Sequence, residues 1–379
     1  MSLLVGVVKE TFPGERRVAM APRAMDLISK MGAELWFERG AGAEAGFLDR
    51  EYEAKGAHLA ASAEEVREKA QVLLQVRVHD PNIYTSRHTV IGFCDPLSEP
   101  RLAWQIAQRG ATLVSMELVP RITRAQSMDA LSSMASIAGY KAVLLAADAL
   151  PRMFPLMMTA AGTIPAARVL IIGAGVAGLQ AIATARRLGA VVSGYDVRSA
   201  VKEQIESLGA KFVSINIDQS GEGQGGYAKA LDEEGYRKQR EQMGLVMREQ
   251  DVVITTAAVP GRKAPLLVTR DMVRQMPAGS VIVDIAAERG GNCELTRAGE
   301  TVIAEGVTII GPVNLPATVP YHASLMYARN ISTLLKNMVK EGQLVLDLDD
   351  EITRDSLVTR GGEVVNPKVQ ALLENMVHA

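Results

Sequence analysis

Residues Arg168–Asp196 read RVLIIGAGVAGLQAIATARRLGAVVSGYD. The apolar run Val169–Ile172 predicts a buried strand, the glycines that follow stand at GxGxxG spacing, a small-residue helix comes next, and VVSGYD closes a second strand at Asp196. The glycines do different work. Gly173 makes the tight turn, Gly175 lets a pyrophosphate approach backbone N–H groups, and Gly178 lets the helix pack against the sheet. With Val176 and Ala177 between them, they place the phosphates at a helix N-terminus, where free amides and the helix dipole favour negative charge. A carboxylate at Asp196, 23 residues beyond Gly173, suits the adenosine ribose hydroxyls and repels a 2′-phosphate, so the spacing favours NAD(H). Val197 and Arg198 complete this rim. Arg198 leaves an NADP-compatible or purely structural reading of Asp196 open.

Outward from this βαβ unit, further strands are expected at Phe212–Ile217, Val252–Thr256, Val281–Ile285 and Val307–Ile310, which makes six. Upstream, Leu3–Val8, Leu35–Phe37, Val72–Val76, Thr89–Phe93 and Thr112–Ser115 read as strands. They alternate with helical runs at Ala21–Lys30, Ala63–Lys69 and Glu99–Gln108. The fold class is α/β: two Rossmann-like domains with parallel-sheet cores, the second a dinucleotide-binding domain. Tyr321–Val339 reads as a helix that returns to the first domain or packs under the second. The expected division is residues 1–133 with 321–379 as the first domain and 134–320 as the NAD(H)-binding domain.

Composition narrows the function classes. The 379 residues carry 41 Lys+Arg against 43 Asp+Glu, a formal charge of -2, and 48% hydrophobic residues support large cores. This excludes disorder of the whole and offers no electrostatic footprint for nucleic acid. Cys94 and Cys293 sit in no CxxC or His/Cys pattern, which argues against a disulfide framework and a zinc site and points to a reducing compartment. The start, MSLLVGVVKE, reads as a first strand rather than a signal peptide, and Val169–Ala185 is broken by glycines as a lipid span, so no membrane crossing is expected.

Three more runs carry polar chemistry. PRITRAQSMDALSS brings Arg121, Gln126, Asp129 and Ser132 together. Arg121 and Asp129 can form a charge-assisted pair, and the Gln126 amide offers a donor and an acceptor to a nicotinamide carboxamide or ribose. Helix capping with a surface ion pair explains the same residues. VIVDIAAERGGN places Asp284, Glu288 and Arg289 at the carboxyl end of a strand, where open α/β sheets bind ligands, or its acidic residues simply cap the next element; Ala257 follows the preceding strand, and Asn314 lies near the same rim. His322, beside a helix start, reads as structural. Gln219–Gly226, QSGEGQGG, packs four glycines into eight residues and reads as an exposed excursion, either a flap or a solvated loop.

Together with KETFPGERRVAMAP, MMTAAGTIPAARVLIIGAGVAGLQAIATARRLGA and NLPA, these runs resemble the alanine dehydrogenase and nicotinamide nucleotide transhydrogenase family, over essentially the whole chain. The likeness is stronger to its transhydrogenase branch. It implies that Arg121, Gln126 and Asp129 form a polar loop near the nicotinamide. It also implies that Asp196 takes the adenosine ribose and that Gly225, Gly226 and Tyr227 belong to a mobile loop closing over nucleotide. The dehydrogenase branch demands an arginine, a lysine, a histidine and an aspartate. Arg17 fits the arginine, but Arg77 replaces the lysine, Cys94–Asp95 the histidine and Glu288 the aspartate. A guanidinium that stays protonated is no proton shuttle, so an amino-acid or imino-acid dehydrogenase would need an unfamiliar proton donor, such as His79 or Asp95.

The resemblance therefore implies direct hydride transfer between NADH bound here and NADP+ held by a partner subunit. A non-catalytic NAD(H)-binding assembly module is the third reading. Family likeness implies a homodimer that works with membrane-spanning subunits of a proton-translocating complex, peripherally attached at the cytoplasmic membrane face, with no metal.

Overall fold

The structure, a computed structural model, describes residues 2–215, 232–258 and 261–377. The chain divides into two compact units, Met1–Met134 with Pro316–Ala379, and Ala135–Leu315.

The first unit starts with β1 (Leu3–Val7), β2 (Ala33–Glu38) and β3 (His58–Ala60), followed by β4 (Val72–Arg77), β5 (Thr89–Phe93) and β6 (Thr112–Ser115). All six are parallel, in the order β6-β5-β4-β1-β2-β3. Helices cover a parallel sheet on both faces, so its central strands are apolar throughout rather than alternating; every residue of β5 is buried. Helical runs precede several of these strands at Met25–Lys30, Ala63–Lys69 and Pro100–Gln108. The expected Ala21–Lys30 helix is in fact a Pro22–Ala24 3-10 turn leading into Met25–Lys30.

The first strands of the second unit form a hairpin, β7 (Met157–Thr159) and β8 (Gly162–Ile164). Its sheet then takes β9 (Arg168–Ile172), β10 (Val191–Tyr195), β11 (Lys211–Phe212), β12 (Val252–Thr255), β13 (Val281–Asp284), β14 (Thr301–Ala304) and β15 (Val307–Ile310). The order is β11-β10-β9-β12-β13-β15-β14, parallel except for the edge strand β14. Chain order therefore reverses between β9 and β12, and such a switch point opens a crevice at the carboxyl ends of the strands. The expected strand Phe212–Ile217 is only Lys211–Phe212 among the described residues. β14 escaped the sequence reading because its side chains are exposed or half-buried, so it carries no continuous apolar run.

The Ala130–Ala149 helix, 20 residues, was also not foreseen. It is the one helix among the described residues long and apolar enough, by length and composition, to cross a membrane. Its Ala138, Ala142, Val143 and Ala146 are buried in the core of the second unit with Val169, Ile171, Ala181 and Val283, which accounts for its hydropathy. The C-terminal chain belongs to the first unit. Pro320–Asn337 is a helix whose Ala323, Tyr327, Ile331, Leu334 and Leu335 are buried at i, i+4, i+8, i+11 and i+12 spacing. It ends in a small hairpin of β16 (Val339–Lys340) and β17 (Gln343–Leu344), turned at Gly342 with φ 75°. Finally β18 (Leu357–Arg360) adds antiparallel to β6, with β19 (Glu363–Val364) outside it. Both units are thus Rossmann-like α/β layers.

Candidate functional site

In the second unit the site is built where β9 and β12 end. Gly173 turns with φ 97°, and a Cβ there would stand 2.6 Å from the Thr256 Oγ1. Thr256 in turn donates its hydroxyl to the Gly173 carbonyl at 3.0 Å, tying the turn to the end of the neighbouring strand. A Cβ on Gly178 would fall 1.8 Å from that same carbonyl, so only glycine lets the Val176–Arg187 helix start this close. Gly175, the residue before the helix, is different: extended at φ -75°, it would carry a Cβ into open space, with nothing within 4 Å. Val176 is exposed and Ala177 half-buried at the helix start. An open, side-chain-free approach to a helix N-terminus is what an anionic diphosphate requires.

Asp196 follows β10 and is buried. Its carboxylate accepts from four N–H groups: the Ala174 amide at 2.7 Å, the Arg198 amide at 2.9 Å, and Nε and Nη2 of Arg198, both at 2.8 Å. The carboxylate that the sequence assigns to the ribose thus lies beside the glycine turn, held by a bidentate guanidinium. A carboxylate offers about four lone-pair sites, and these four N–H groups take them. Val197, half-buried, packs against the apolar cluster of Leu170, Ile172 and Tyr195.

The loop after β12 is fixed by Asn292, which the sequence reading did not weigh, and the turn after β13 by Asp284, which it named. The Asn292 side chain accepts from the Ala257 amide at 3.0 Å and donates to the Ala257 and Pro265 carbonyls at 2.8 and 2.9 Å. Asp284, fully buried at the end of β13, accepts from the amides of Ala286, Asn292 and Cys293 and from the hydroxyls of Thr255 and Thr296. Asp284 therefore organises the Ala286–Thr296 turn from beneath. Exposed Glu288 accepts from the backbone amide of Asn314 at 3.1 Å, and Asn314 has φ 46°. Gly139, in the Ala130–Ala149 helix, is a further missed position: a Cβ there would meet the Ala177 carbonyl at 2.0 Å. A GG pair next to a buried Asp–Asn set was the available signal for the turn; Gly139 had none. Gly226 and Tyr227 lie outside the described residues.

In the first unit, Thr123–Met128 forms a 3-10 helix, anchored by buried Ala125 and Met128 and leaving Gln126 exposed. Asp129 accepts from the Ser132 amide at 2.8 Å and hydroxyl at 2.6 Å, which caps the helix that begins at Ala130, and its Oδ2 lies 3.9 Å from Nε of Arg121. Helix cap and ion pair are thus both present on one carboxylate.

The same unit holds Arg17, Arg77, Cys94, Asp95 and His79, all but Glu288 of the positions weighed for an amino-acid dehydrogenase. Arg17 is buried and bidentate to Glu15, at 2.7 Å for both contacts, and Nε of Arg77 lies 4.0 Å from Glu15. Cys94 is buried, and burial pushes its thiol well above its usual pKa. Its amide and that of Asp95 donate to Glu117, whose carboxyl is raised by burial. Asp95 has φ 42°, and His79 lies edge-on to Phe12 with Nε2 3.3 Å from the Thr11 hydroxyl. His322 is exposed in the first turn of the Pro320–Asn337 helix, against Tyr321. The described residues contain no cluster of three His, Cys, Asp or Glu able to hold a metal.

Two family descriptions match this chain: "Alanine dehydrogenase/PNT, C-terminal domain" over residues 142–367 and "Alanine dehydrogenase/PNT, N-terminal domain" over residues 6–138. The chain belongs to the alanine dehydrogenase/PNT family. Its relatives divide by branch. An NAD(P) transhydrogenase subunit alpha chain of Rhodospirillum rubrum is 42% identical over 375 residues, covering 96% of this chain and 98% of that one. Alanine dehydrogenase of Bacillus subtilis is 26% identical, covering 96% and 92%. The crystal structure of transhydrogenase from Sinorhizobium meliloti superimposes with a TM-score of 0.84 at 43% identity, covering 96% of this chain and 99% of that one. The chain therefore sits on the transhydrogenase side of the family, with the subunits named alpha.

Proposed function

We propose that this chain binds NAD(H) on the Gly173–Gly178 turn and acts as the NAD(H)-binding, hydride-transferring component of an NAD(P) transhydrogenase, with NADP(H) held by a partner subunit. The observation that carries the reading is the open, extended Gly175 at the start of a 12-residue helix, with the Asp196 carboxylate beside the same turn. The diphosphate takes the free amides of Val176, Ala177 and Gly178. Asp196 exchanges Arg198 donors for ribose hydroxyls, and Ala257, Glu288 and Asn314 line the rim toward the nicotinamide end.

The bound nucleotide supplies a hydride from its dihydronicotinamide, a transfer that asks no side chain for a proton. The protein's task is alignment of the reacting atoms within about 3 to 3.5 Å and exclusion of water. Gln126 offers its amide to the carboxamide or ribose region, while Arg121 and Asp129 hold its loop. That task suits what surrounds Arg17: the guanidinium is already neutralised by Glu15, and Cys94 is a buried thiol. The chain works as a homodimer with NADP(H)-binding and membrane-spanning subunits, attached peripherally to the cytoplasmic face of the membrane, and proton translocation belongs to the assembled complex.

Reconstitution with the NADP(H)-binding subunit tests this directly. Transfer from NADH to NADP+ is expected in the mixture and from neither component alone. NADH-dependent amination of pyruvate by the isolated chain at an appreciable rate would instead place it with the dehydrogenases, and tight NADH binding without transfer in the full complex would make it an assembly module. Gln126→Asn is expected to lower hydride transfer far more than NADH affinity; equal losses would mark uniform binding.

A further inference from the structure

The 3-10 helix that carries Gln126 is tied down on both sides of that residue by side chains from the C-terminal part of the chain. Two positions before Gln126, the Arg124 guanidinium pairs with Asp350 through Nη2 and reaches Oδ1 of Asn337 at 3.4 Å through Nη1. Asn337 then donates to the other Asp350 oxygen at 2.6 Å, closing a ring of three side chains. One position after Gln126, the Ser127 carbonyl accepts from Nδ2 of Asn330 at 2.9 Å; Asn330 is buried, and its Oδ1 has no hydrogen-bond partner among the described residues.

Asp350 also caps the Glu351–Ser356 helix, accepting from the Thr353 amide at 3.1 Å and hydroxyl at 3.0 Å. Burial pushes its carboxyl up, but the hydrogen bonds from Arg124, Asn337 and Thr353 outweigh this and hold it well below the usual carboxylate range. It stays charged at any pH where the protein is assayed. A six-residue 3-10 helix has poor internal hydrogen-bond geometry and does not fix its own pose. Buried Ala125 and Met128 hold it to the core.

We propose that the Arg124–Asn337–Asp350 ring, with Asn330 beneath Ser127, sets the pose of the Gln126 loop, so that Asp350 is a positioning residue for hydride transfer although it touches no nucleotide. The proposal rests on the reading of Gln126 as a residue that works at the nicotinamide. Hydride transfer is unusually sensitive to such positioning: a displacement of about 1 Å at the reacting centre costs on the order of 100-fold in rate. Ground-state binding of NADH through the Gly173–Gly178 turn is far less sensitive to where Gln126 points.

The experiment uses this chain reconstituted with the NADP(H)-binding subunit. Asp350→Asn retains a good helix cap, since Asn caps as well as Asp, but removes the charge facing Arg124. Arg124→Met removes the other partner, and the double variant completes a cycle. Each single variant is expected to lose about tenfold or more in the rate of hydride transfer while the NADH dissociation constant, read from nucleotide fluorescence, stays within about twofold. The double variant is expected to be no slower than the slower single variant, because both changes break one tie. Gln126→Asn is run alongside.

If Gln126→Asn loses transfer while Arg124→Met and Asp350→Asn keep the parental rate, the loop acts but the ring does not set it, and the proposal is overturned. Losses that multiply in the double variant, or that fall equally on NADH affinity and on rate, overturn it as well and mark a merely structural role. If Gln126→Asn itself transfers hydride at the parental rate, the functional reading of the loop fails and the proposal falls with it.

Discussion

Glycines of one motif can look interchangeable in a sequence, yet their surroundings here separate them. Gly178 faces the Gly173 carbonyl, 1.8 Å from where its Cβ would be, whereas Gly175 faces nothing within 4 Å and has a backbone any residue adopts. Gly178→Ala must therefore push the helix away from the turn, and both thermal stability and NADH affinity are expected to fall. Gly175→Ala is expected to leave the melting temperature within about 2 °C of the parent. Its methyl group, however, stands in the approach to the helix N-terminus and lowers NADH affinity about tenfold or more, roughly 1.4 kcal/mol. Calorimetry with a nucleotide titration distinguishes the two; equal stability losses in both variants would contradict this account of the turn.

At the scale of elements, the long Ala130–Ala149 helix supports the nucleotide turn through its backbone rather than through a side chain. Gly139 approaches Ala177 so closely that a methyl group would stand 2.0 Å from the Ala177 carbonyl. The atom it meets is main chain in the first turn of the Val176–Arg187 helix, so no side-chain rotation relieves the clash. Gly139→Ala is expected to cost about 1 to 3 kcal/mol, as overpacking does, and to weaken NADH binding because the displaced turn is the one whose amides meet the diphosphate. A variant with parental affinity and parental melting temperature would show that the two helices separate freely.

At the scale of the whole molecule, stability depends on carboxyls that the first unit buries. Glu10 accepts the amides of Val76 at 2.6 Å and Arg77 at 3.0 Å, yet burial outweighs those hydrogen bonds and pushes its pKa from 4.5 up to about 8. A group whose pKa is raised on folding contributes stability that is complete below its unfolded value and lost as pH rises through the folded one. Stability of this unit is therefore expected to fall between about pH 4.5 and about pH 8. Glu117, also raised by burial, acts in the same direction. The chain has two tryptophans, Trp36 and Trp104, and both lie in this unit, so fluorescence in urea reports its unfolding. The midpoint is expected to drop across that window, with a shallower drop in Glu10→Gln; an unchanged slope in the variant would remove Glu10 as the cause.

The strand, glycine turn and acidic residue between Arg168 and Asp196 were legible because each is a local requirement: period, φ and spacing act within about thirty residues of chain. The same holds for the apolar strands of two parallel sheets, since a strand buried on both faces announces itself as an unbroken apolar run. Tertiary structure alone decided what each polar group meets. It gave the Asp196 carboxylate to Arg198, set Asp284 under a turn that supplies it with donors, and brought Asp350 back to Arg124 across 226 residues of sequence. It also made β14 an antiparallel edge strand, added β18 antiparallel to β6 inside β19, and fixed Gly139 by a contact with Ala177. Conformational preference is a property of neighbouring residues and survives in the sequence. Partnership between distant polar groups depends on where packing carries them, and exists only in the folded chain.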